Sequence, residues 1–215
     1  VMGVMLSAGG SLRWFRDTLC DKERETAAET GRDPYDVISE AAAGVPAGCE
    51  GLIFLPYLTG ERTPYPDPFA RGVFFGITLR HSKSHFARAV MEGVAYGLQD
   101  SFEILKQMGV PISQVRASGG GARSALWRQI QADVTGYEHV TLNVEEGPAY
   151  GVALLAGVGT GVYPSVEQAC ESTICVVGST KPDSEKTGIY RGYHRLYQSL
   201  YQSLRERFRE VGEIE

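Results

Sequence analysis

The chain has no surplus of positive charge: 21 Lys and Arg stand against 26 Asp and Glu, a formal net charge of −5. That balance excludes a generally basic protein that coats nucleic acid. No apolar run, Gly51 to Leu58 included, approaches the ~20 residues of a membrane-crossing helix. Cysteine is scarce, and Cys20, Cys49, Cys170 and Cys175 contain no C-x-x-C pair. Neither a zinc cage nor a disulfide framework is indicated, and a reducing, cytoplasmic setting is expected. The opening residues Val1-Met2-Gly3-Val4-Met5-Leu6 lack a basic stretch and an initiator Met at position 1. They do not read as a signal peptide, and they suggest a piece of a longer chain. There is no G-K-[ST] triplet, hence no Walker loop, and no D-x-G triplet.

What remains is an ordinary globular composition, 43% hydrophobic and 22% charged over 215 residues, enough for one large domain or two small ones. Helical and strand patterns alternate. Helices are expected at Ser7–Cys20, from Pro34 to Ala43, from about Ser84 to Met108, from about Ser124 to Thr135, at Ala149–Gly157 and from about Ser184 to Val211. Strands are expected at Leu52–Leu55, Gly72–Leu79, Gln114–Ser118 and His139–Asn143. The segment from Asp21 to Arg32 is charged and polar. Gly93 and Gly97 sit on the buried stripe of the long helix from Ser84 to Met108, where each costs ~1 kcal/mol against Ala. Close approach of another backbone is the expected reason. In the last helix the stripe Tyr190, Tyr193, Tyr197, Leu200, Leu204, Phe208 and Val211 reads as core. The sum is an α/β domain with helices layered over a sheet.

Three segments carry candidate chemistry. In VRASGGGARSALWRQIQAD, Val115 to Asp133, a strand gives way to three glycines and then a helix. Helix N-termini attract phosphate, and glycine lets a ligand touch backbone. Gly119, Gly120, Gly121 and Ala122 could therefore receive a nucleotide, with Arg123 and Ser124 adding polar contacts; equally, the turn needs glycine only for its own geometry. Glu146-Gly147-Pro148-Ala149-Tyr150-Gly151 is a second such turn, either capping chemistry or ligand-facing. The proline-rich loop GERTPYPDP holds Glu61, Arg62 and Asp67. It either borders a site or is pinned by an ion pair. His81 and His85 stand four apart, but no acid or cysteine matches that spacing, so they are read as flanking a helix start. No catalytic triad can be assembled.

At these residues the chain resembles the FGGY family of carbohydrate kinases. The run from Phe54 to Thr78, FLPYLTGERTPYPDPFARGVFFGIT, resembles the branch that phosphorylates D-xylulose. Gly72-x-Phe74-x-Gly76-Ile77, seven residues, then His85-Phe86-x-x-Ala89-Val90-Met91-Glu92 fits the family signature. SGGGARSALWRQIQAD resembles its adenosine-binding motif, and EGPAYGVALLAG a later helix start. The resemblance implies a ribonuclease-H-like, actin-like ATPase fold with a mixed sheet and flanking helices. It makes residues 1–215 the C-terminal, adenosine-binding domain. It places Gly119, Gly120, Gly121, Ala122 and Ser124 at the nucleotide; some relatives have Asn in place of Ser124. It implies ATP with Mg²⁺ as phosphoryl donor and D-xylulose 5-phosphate as product, with gluconate, ribulose or glycerol as alternative acceptors. The sugar pocket, the D-x-G hairpin and the general base would lie in an N-terminal domain upstream of Val1, so no catalytic or metal-binding residue is assigned here. None of Asp17, Asp21, Asp33, Asp36, Asp67, Asp100, Asp133 and Asp183 matches the base. The chain alone is expected to be inactive, with an apolar face that favours a homodimer. The rival expectation is a non-catalytic nucleotide-binding or oligomerisation module.

Overall fold

The computed structural model describes residues 2–144 and 147–214. Three helices come first: α1 (Ala8–Leu19), α2 (Asp21–Thr30) and α3 (Pro34–Ala43). α1 buries Ser11, Leu12 and Phe15, one face of a 3.6-residue repeat. α3 begins as its sequence dictates: Asp33 caps it by accepting the Tyr35 N–H at 2.8 Å, and Pro34 follows. α2 lies in the charged and polar stretch where no helix was expected, and it buries only Ala27. Its ends explain it. Asp21 and Glu23 sit in the first turn, where the helix dipole favours acids, and Gly31 closes it at φ +67°.

A two-stranded antiparallel ribbon follows, β1 (Ile53–Leu55) with β2 (Val73–Phe75), in the register Ile53↔Phe75, Phe54↔Phe74 and Leu55↔Val73. The strand expected over Gly72–Leu79 is thus cut to three residues. Gly76 is the reason: its φ is +87°, and a Cβ there would strike the Gly51 carbonyl oxygen, so the chain turns away from the ribbon.

α4 (Lys83–Gln107) is the central helix, about 37 Å long at 1.5 Å per residue, and every residue from Ala87 to Gly97 is buried. His85 belongs to its capping box, its Nδ1 reached by the Ser82 N–H at 3.2 Å, and His81 precedes it, as expected of a helix start. Gly93 meets its expectation, because a Cβ there would overlap the Phe54 carbonyl oxygen of β1. Gly97 answers to a side chain instead: its Cβ would collide with the Met5 methyl.

The second sheet has the order β3-β4-β5. β3 (Val115–Ala117) runs parallel to β4 (His139–Leu142), and β5 (Val176–Thr180) antiparallel to β4 with an irregularity at Thr141/Leu142. α5 (Ala125–Thr135) connects β3 to β4; α6 (Gly147–Gly159) and α7 (Val166–Thr173) lead to β5. α7 and β5 were not expected from the pattern. β5 is half exposed and carries Gly178 and Ser179, which weakens any strand signal.

α8 (Ser184–Ile214) closes the chain across the earlier elements. Of its expected core stripe, Tyr190, Tyr197, Leu200 and Phe208 are buried, Tyr193 and Leu204 pack against the core from its edge, and Val211 is exposed. Its aromatic face also carries polar work. Tyr190 Oη donates to Glu92 Oε1 at 2.8 Å and accepts from Arg88 Nη2 at 2.9 Å, beside the Arg88–Glu92 ion pair at 2.9 Å. Burial raises the Glu92 carboxyl and the adjacent guanidinium opposes it. A buried pair survives only with its remaining lone pairs satisfied, and Gly48 N–H and the Cys49 thiol supply two more donors. The result is a mixed α/β fold, a small mixed sheet with flanking helices.

Candidate nucleotide site

The four residues of the turn after β3 are not equivalent. Gly119 has φ +78°, so this is the position whose backbone demands glycine. Gly120–Ala122 form one 3₁₀ turn, in which the Ala122 and Arg123 amides donate to the carbonyls of Gly119 (3.0 Å) and Gly120 (3.2 Å). Those two amides are engaged within the turn. Ser124 is the N-cap of α5: its Oγ accepts from Trp127 N–H at 3.2 Å and lies 3.1 Å from Ser39 Oγ of α3. The Arg128 guanidinium holds the Ala122 carbonyl and, at 3.0 Å, that of Arg123. The turn is a fixed shelf rather than an open anion cradle.

Clefts flank this shelf. One, of about 500 Å³, runs between it and α1 and α3, with Gly9, Leu12, Tyr35, Ser39 and Trp127 in its walls and Asp33 and Asp36 among its polar groups. The other, of about 490 Å³, runs between it, β3 and α4, past Val94, Leu98 and Phe102. Gly9, Gly120, Gly121 and Trp127 border both. A Cβ on Gly120 would meet nothing within 4 Å, whereas one on Gly121 would stand 3.1 Å from the Trp127 ring. Trp127 is itself immobilised, its indole N–H donating to the Met91 carbonyl at 3.0 Å. The first cleft therefore pairs an open glycine face with aromatic walls, a surface suited to a flat heterocycle.

The structure brings Gly120, Gly121 and Ser124 to the first cleft, with Arg123 beside them; Ala122 faces the second. Sequence reasoning missed the opposite wall of Gly9, Leu12, Tyr35 and Ser39. One signal was available there, because Gly9 and Gly10 stand in the first turn of α1 with open space where a Cβ would be. The second glycine turn opens α6 near β3, a Cβ on Gly147 falling 3.8 Å from Ser118 Oγ. Glu145 and Glu146 lie outside the described residues.

The proline-rich loop is pinned, but among the described residues not by an ion pair. Glu61 Oε1 accepts backbone N–H groups of Leu6 (3.0 Å) and Arg62 (2.7 Å), and burial raises its carboxyl. Asp67 accepts the Phe69 N–H at 2.9 Å through Oδ1 and the Tyr201 hydroxyl at 2.8 Å through Oδ2. Buried carboxylates gain more from several fixed donors than from one mobile arginine, and Arg62 stays exposed. No residue of this loop lines either cleft beside the glycine turn.

With this geometry in hand, likeness to known proteins adds an identity. The chain is 40% identical over 192 residues to a xylulose kinase of Staphylococcus epidermidis, covering 89% of this chain and 37% of that protein. It is 41% identical over 182 residues to a gluconokinase of Bacillus subtilis, covering 84% and 35%. Among solved structures, a xylulose kinase from Rhodospirillum rubrum superposes with a TM-score of 0.79 at 31% identity, over 96% of this chain and 40% of that one. The chain thus spans well under half the length of these relatives. Residues 1–160 match the C-terminal domain of the FGGY family of carbohydrate kinases, and the chain belongs to that family.

Proposed function

We propose that the first cleft holds the adenosine end of ATP, and that the chain is the nucleotide-binding half of a kinase that moves the γ-phosphoryl of MgATP to D-xylulose. The observation that carries this reading is the open face of Gly120 opposite Tyr35 and beside Trp127. No atom stands within 4 Å of a Cβ on Gly120, which leaves that face open to a flat base. On this reading Gly119 sets the backbone, Gly120 and Gly121 present the contact surface, Ala122 backs it from the second cleft, and Ser124 acts chiefly by fixing the start of α5. Phosphoryl transfer depends on positioning and on neutralising the phosphate charge, so the half that brings the sugar and the base must close over this cleft. That half corresponds to the additional length of the relatives.

D-Xylulose is preferred because the S. epidermidis and R. rubrum relatives bear that name. Gluconate is the second reading, since a gluconokinase is as similar as the xylulose kinases. All four cysteines are free, which suits a reducing cytoplasm. Val152 and Leu155 of α6, 67% and 57% exposed, offer an apolar face for a homodimer. The test is a coupled assay of ADP release by the 215-residue chain with D-xylulose and with D-gluconate, alongside binding of ATP followed by tryptophan fluorescence. Binding without turnover is expected. Turnover that persists through repeated purification would refute the division of labour, and absence of ATP binding by the chain and by the full-length protein would refute the site.

A further inference from the structure

A third cleft, of about 620 Å³, opens where α4, the end of α5 and α8 diverge, and it shares no lining residue with the first cleft at the glycine turn. Its size falls among small-molecule sites, about 300–1,000 Å³. Lys106 of α4 and Arg191 and Arg195 of α8 line it. The two arginines stand i, i+4 on one helix face, where like charges destabilise the helix. In a chain of net charge −5, acids are in surplus. Elsewhere they are used: Arg16 meets Asp17 at 2.7 Å, and Lys83 meets Glu23 and Arg88 meets Glu92 at 2.9 Å each. Among the described residues, the side chains of Lys106, Arg191 and Arg195 make no hydrogen bond or ion pair.

The carboxylate in the wall is engaged by other groups. Glu103 Oε1 accepts the Gln99 side-chain amide at 3.4 Å, Oε2 accepts that of Gln198 at 3.2 Å, and His194 Nδ1 stands 3.6 Å from Oε1. Next to it, Asp100 Oδ1 accepts from His194 Nε2 at 2.8 Å and from Gln198 Nε2 at 2.7 Å. His194 and the two glutamines thus hold both acids of this corner. Helix ends do not account for the cations either. The last carbonyls of a helix favour one positive charge nearby, and Lys106 supplies it in the last turn of α4. An arginine that serves backbone carbonyls looks like Arg128, whose guanidinium donates to those of Ala122 and Arg123. Arg191 and Arg195 reach none among the described residues. They are donors on a concave wall without an acceptor.

We propose that this cleft binds the phosphate group of a small hydroxylated monoester, of the size and chemistry of a sugar phosphate, held by Arg191 and Arg195 from α8 and by Lys106 from α4. A guanidinium presents paired N–H donors that match phosphate oxygens, and a lysine adds a point charge. A bound phosphate also relieves the repulsion between the two arginines. The wall continues through Thr135, Thr187 and the Phe102 and Tyr137 rings, which stack at 5.6 Å. Hydroxyls on the ligand suit that mixed surface, and a phosphate ion alone would leave most of the cleft to water. Glu103 on the same wall disfavours a second phosphate, so a monoester fits ahead of a bisphosphate. The inference does not rest on the nucleotide reading, since it uses no residue of the first cleft.

The experiment is calorimetric titration of the 215-residue chain, in a phosphate-free buffer of low ionic strength, with D-ribose 5-phosphate, with D-ribose and with inorganic phosphate. One equivalent of the ester is expected to bind, and the neutral sugar is expected not to. Arg191→Gln, Arg195→Gln and Lys106→Gln, all at exposed positions, should each weaken the ester at least roughly tenfold, the loss of one charge-assisted contact. Arg209→Gln removes the same charge from the same helix outside the cleft and should leave the affinity unchanged. Inorganic phosphate that matches the ester would uphold the anion site and overturn the hydroxylated body of its ligand. Less than one equivalent at saturation, or a loss in Arg209→Gln equal to that in Arg195→Gln, overturns the proposal and leaves an adventitious ion only.

Discussion

Gly120→Val tests the nucleotide cleft cleanly because the structure separates what the residue does for the fold from what it offers a ligand. Its φ lies outside the left-handed region, and a Cβ there meets no atom within 4 Å. The fold should therefore absorb the substitution within about 0.5 kcal/mol, as at other unconstrained surface positions. A ligand lying on the glycine face has no such latitude. Inserting a branched side chain into a filled contact costs about 1–3 kcal/mol. Through 1.4 kcal/mol per decade, that weakens ATP binding about fivefold to 150-fold. The assay pairs ATP titration, read from tryptophan emission, with urea unfolding of the same preparation. In the full-length kinase KM for ATP should rise while KM for sugar moves much less. Two neighbours bracket the result. Gly119→Ala forces a side chain into φ +78° and should lose about 1–2 kcal/mol of stability. Arg123→Ala, at the rim, can remove at most one charge-assisted contact, about 1.5–3 kcal/mol. A folded Gly120→Val chain with unaltered ATP affinity refutes the placement of the nucleotide.

Tyr201→Phe removes the hydroxyl that reaches Asp67 Oδ2 at 2.8 Å and strands a buried carboxylate oxygen. A loss of about 1.5–3 kcal/mol in urea unfolding is expected, and a change below the error of the measurement would remove the loop tether. His139 is held neutral by burial, its pKa lowered from 6.5 to about 4. The unfolded chain takes up that proton first, so the stability contributed by His139 is whole above pH 6.5 and is lost as pH falls towards 4. Its size is on the order of 3 kcal/mol at most. His139→Gln should flatten urea midpoints across that window, and an unchanged slope would refute the assignment. For the thiols, burial pushes Cys20 up to about 11 and drives Cys49 higher still, next to Glu92. Iodoacetamide at pH 8 should label exposed Cys175 and half-buried Cys170 in the native chain, and all four after unfolding, by mass spectrometry. Native labelling of Cys49 would show that the interior around Glu92 is open.

The parts of this molecule legible in its sequence are those whose physics is local. Asp33-Pro34 announces α3 because a cap and a proline act on adjacent residues, and Gly93 announces a close contact because it interrupts an otherwise apolar stripe. Gly97 carries the same signal with a different cause, a methionine from the N-terminal segment, which no spacing rule reveals. α2 escaped because it is held by its ends and buries only Ala27. The strand over Gly72–Leu79 was overextended because GVFFGITL reads as continuous, while the bend at Gly76 depends on Gly51 across the ribbon. In the candidate site the glycine shelf was visible and its facing wall was not, since Gly9, Leu12, Tyr35 and Ser39 are more than 80 residues from Gly120 along the chain. The Glu103–His194 pair was hidden for the same reason, its members lying on separate helices.

α8 joins partners made far earlier: Tyr190 to Arg88 and Glu92, His194 to Asp100, Tyr201 to Asp67, with sequence separations of 94 to 134 residues. On the ribosome, none of those interior groups gains its full set of partners until the corresponding turn of α8 has left the exit tunnel. During synthesis at about 5–20 residues per second, Arg88, Glu92 and Asp67 therefore wait several seconds in water or in the care of a chaperone. The nascent chain should stay sensitive to protease through that interval, and become resistant only when the tyrosines of the last helix arrive.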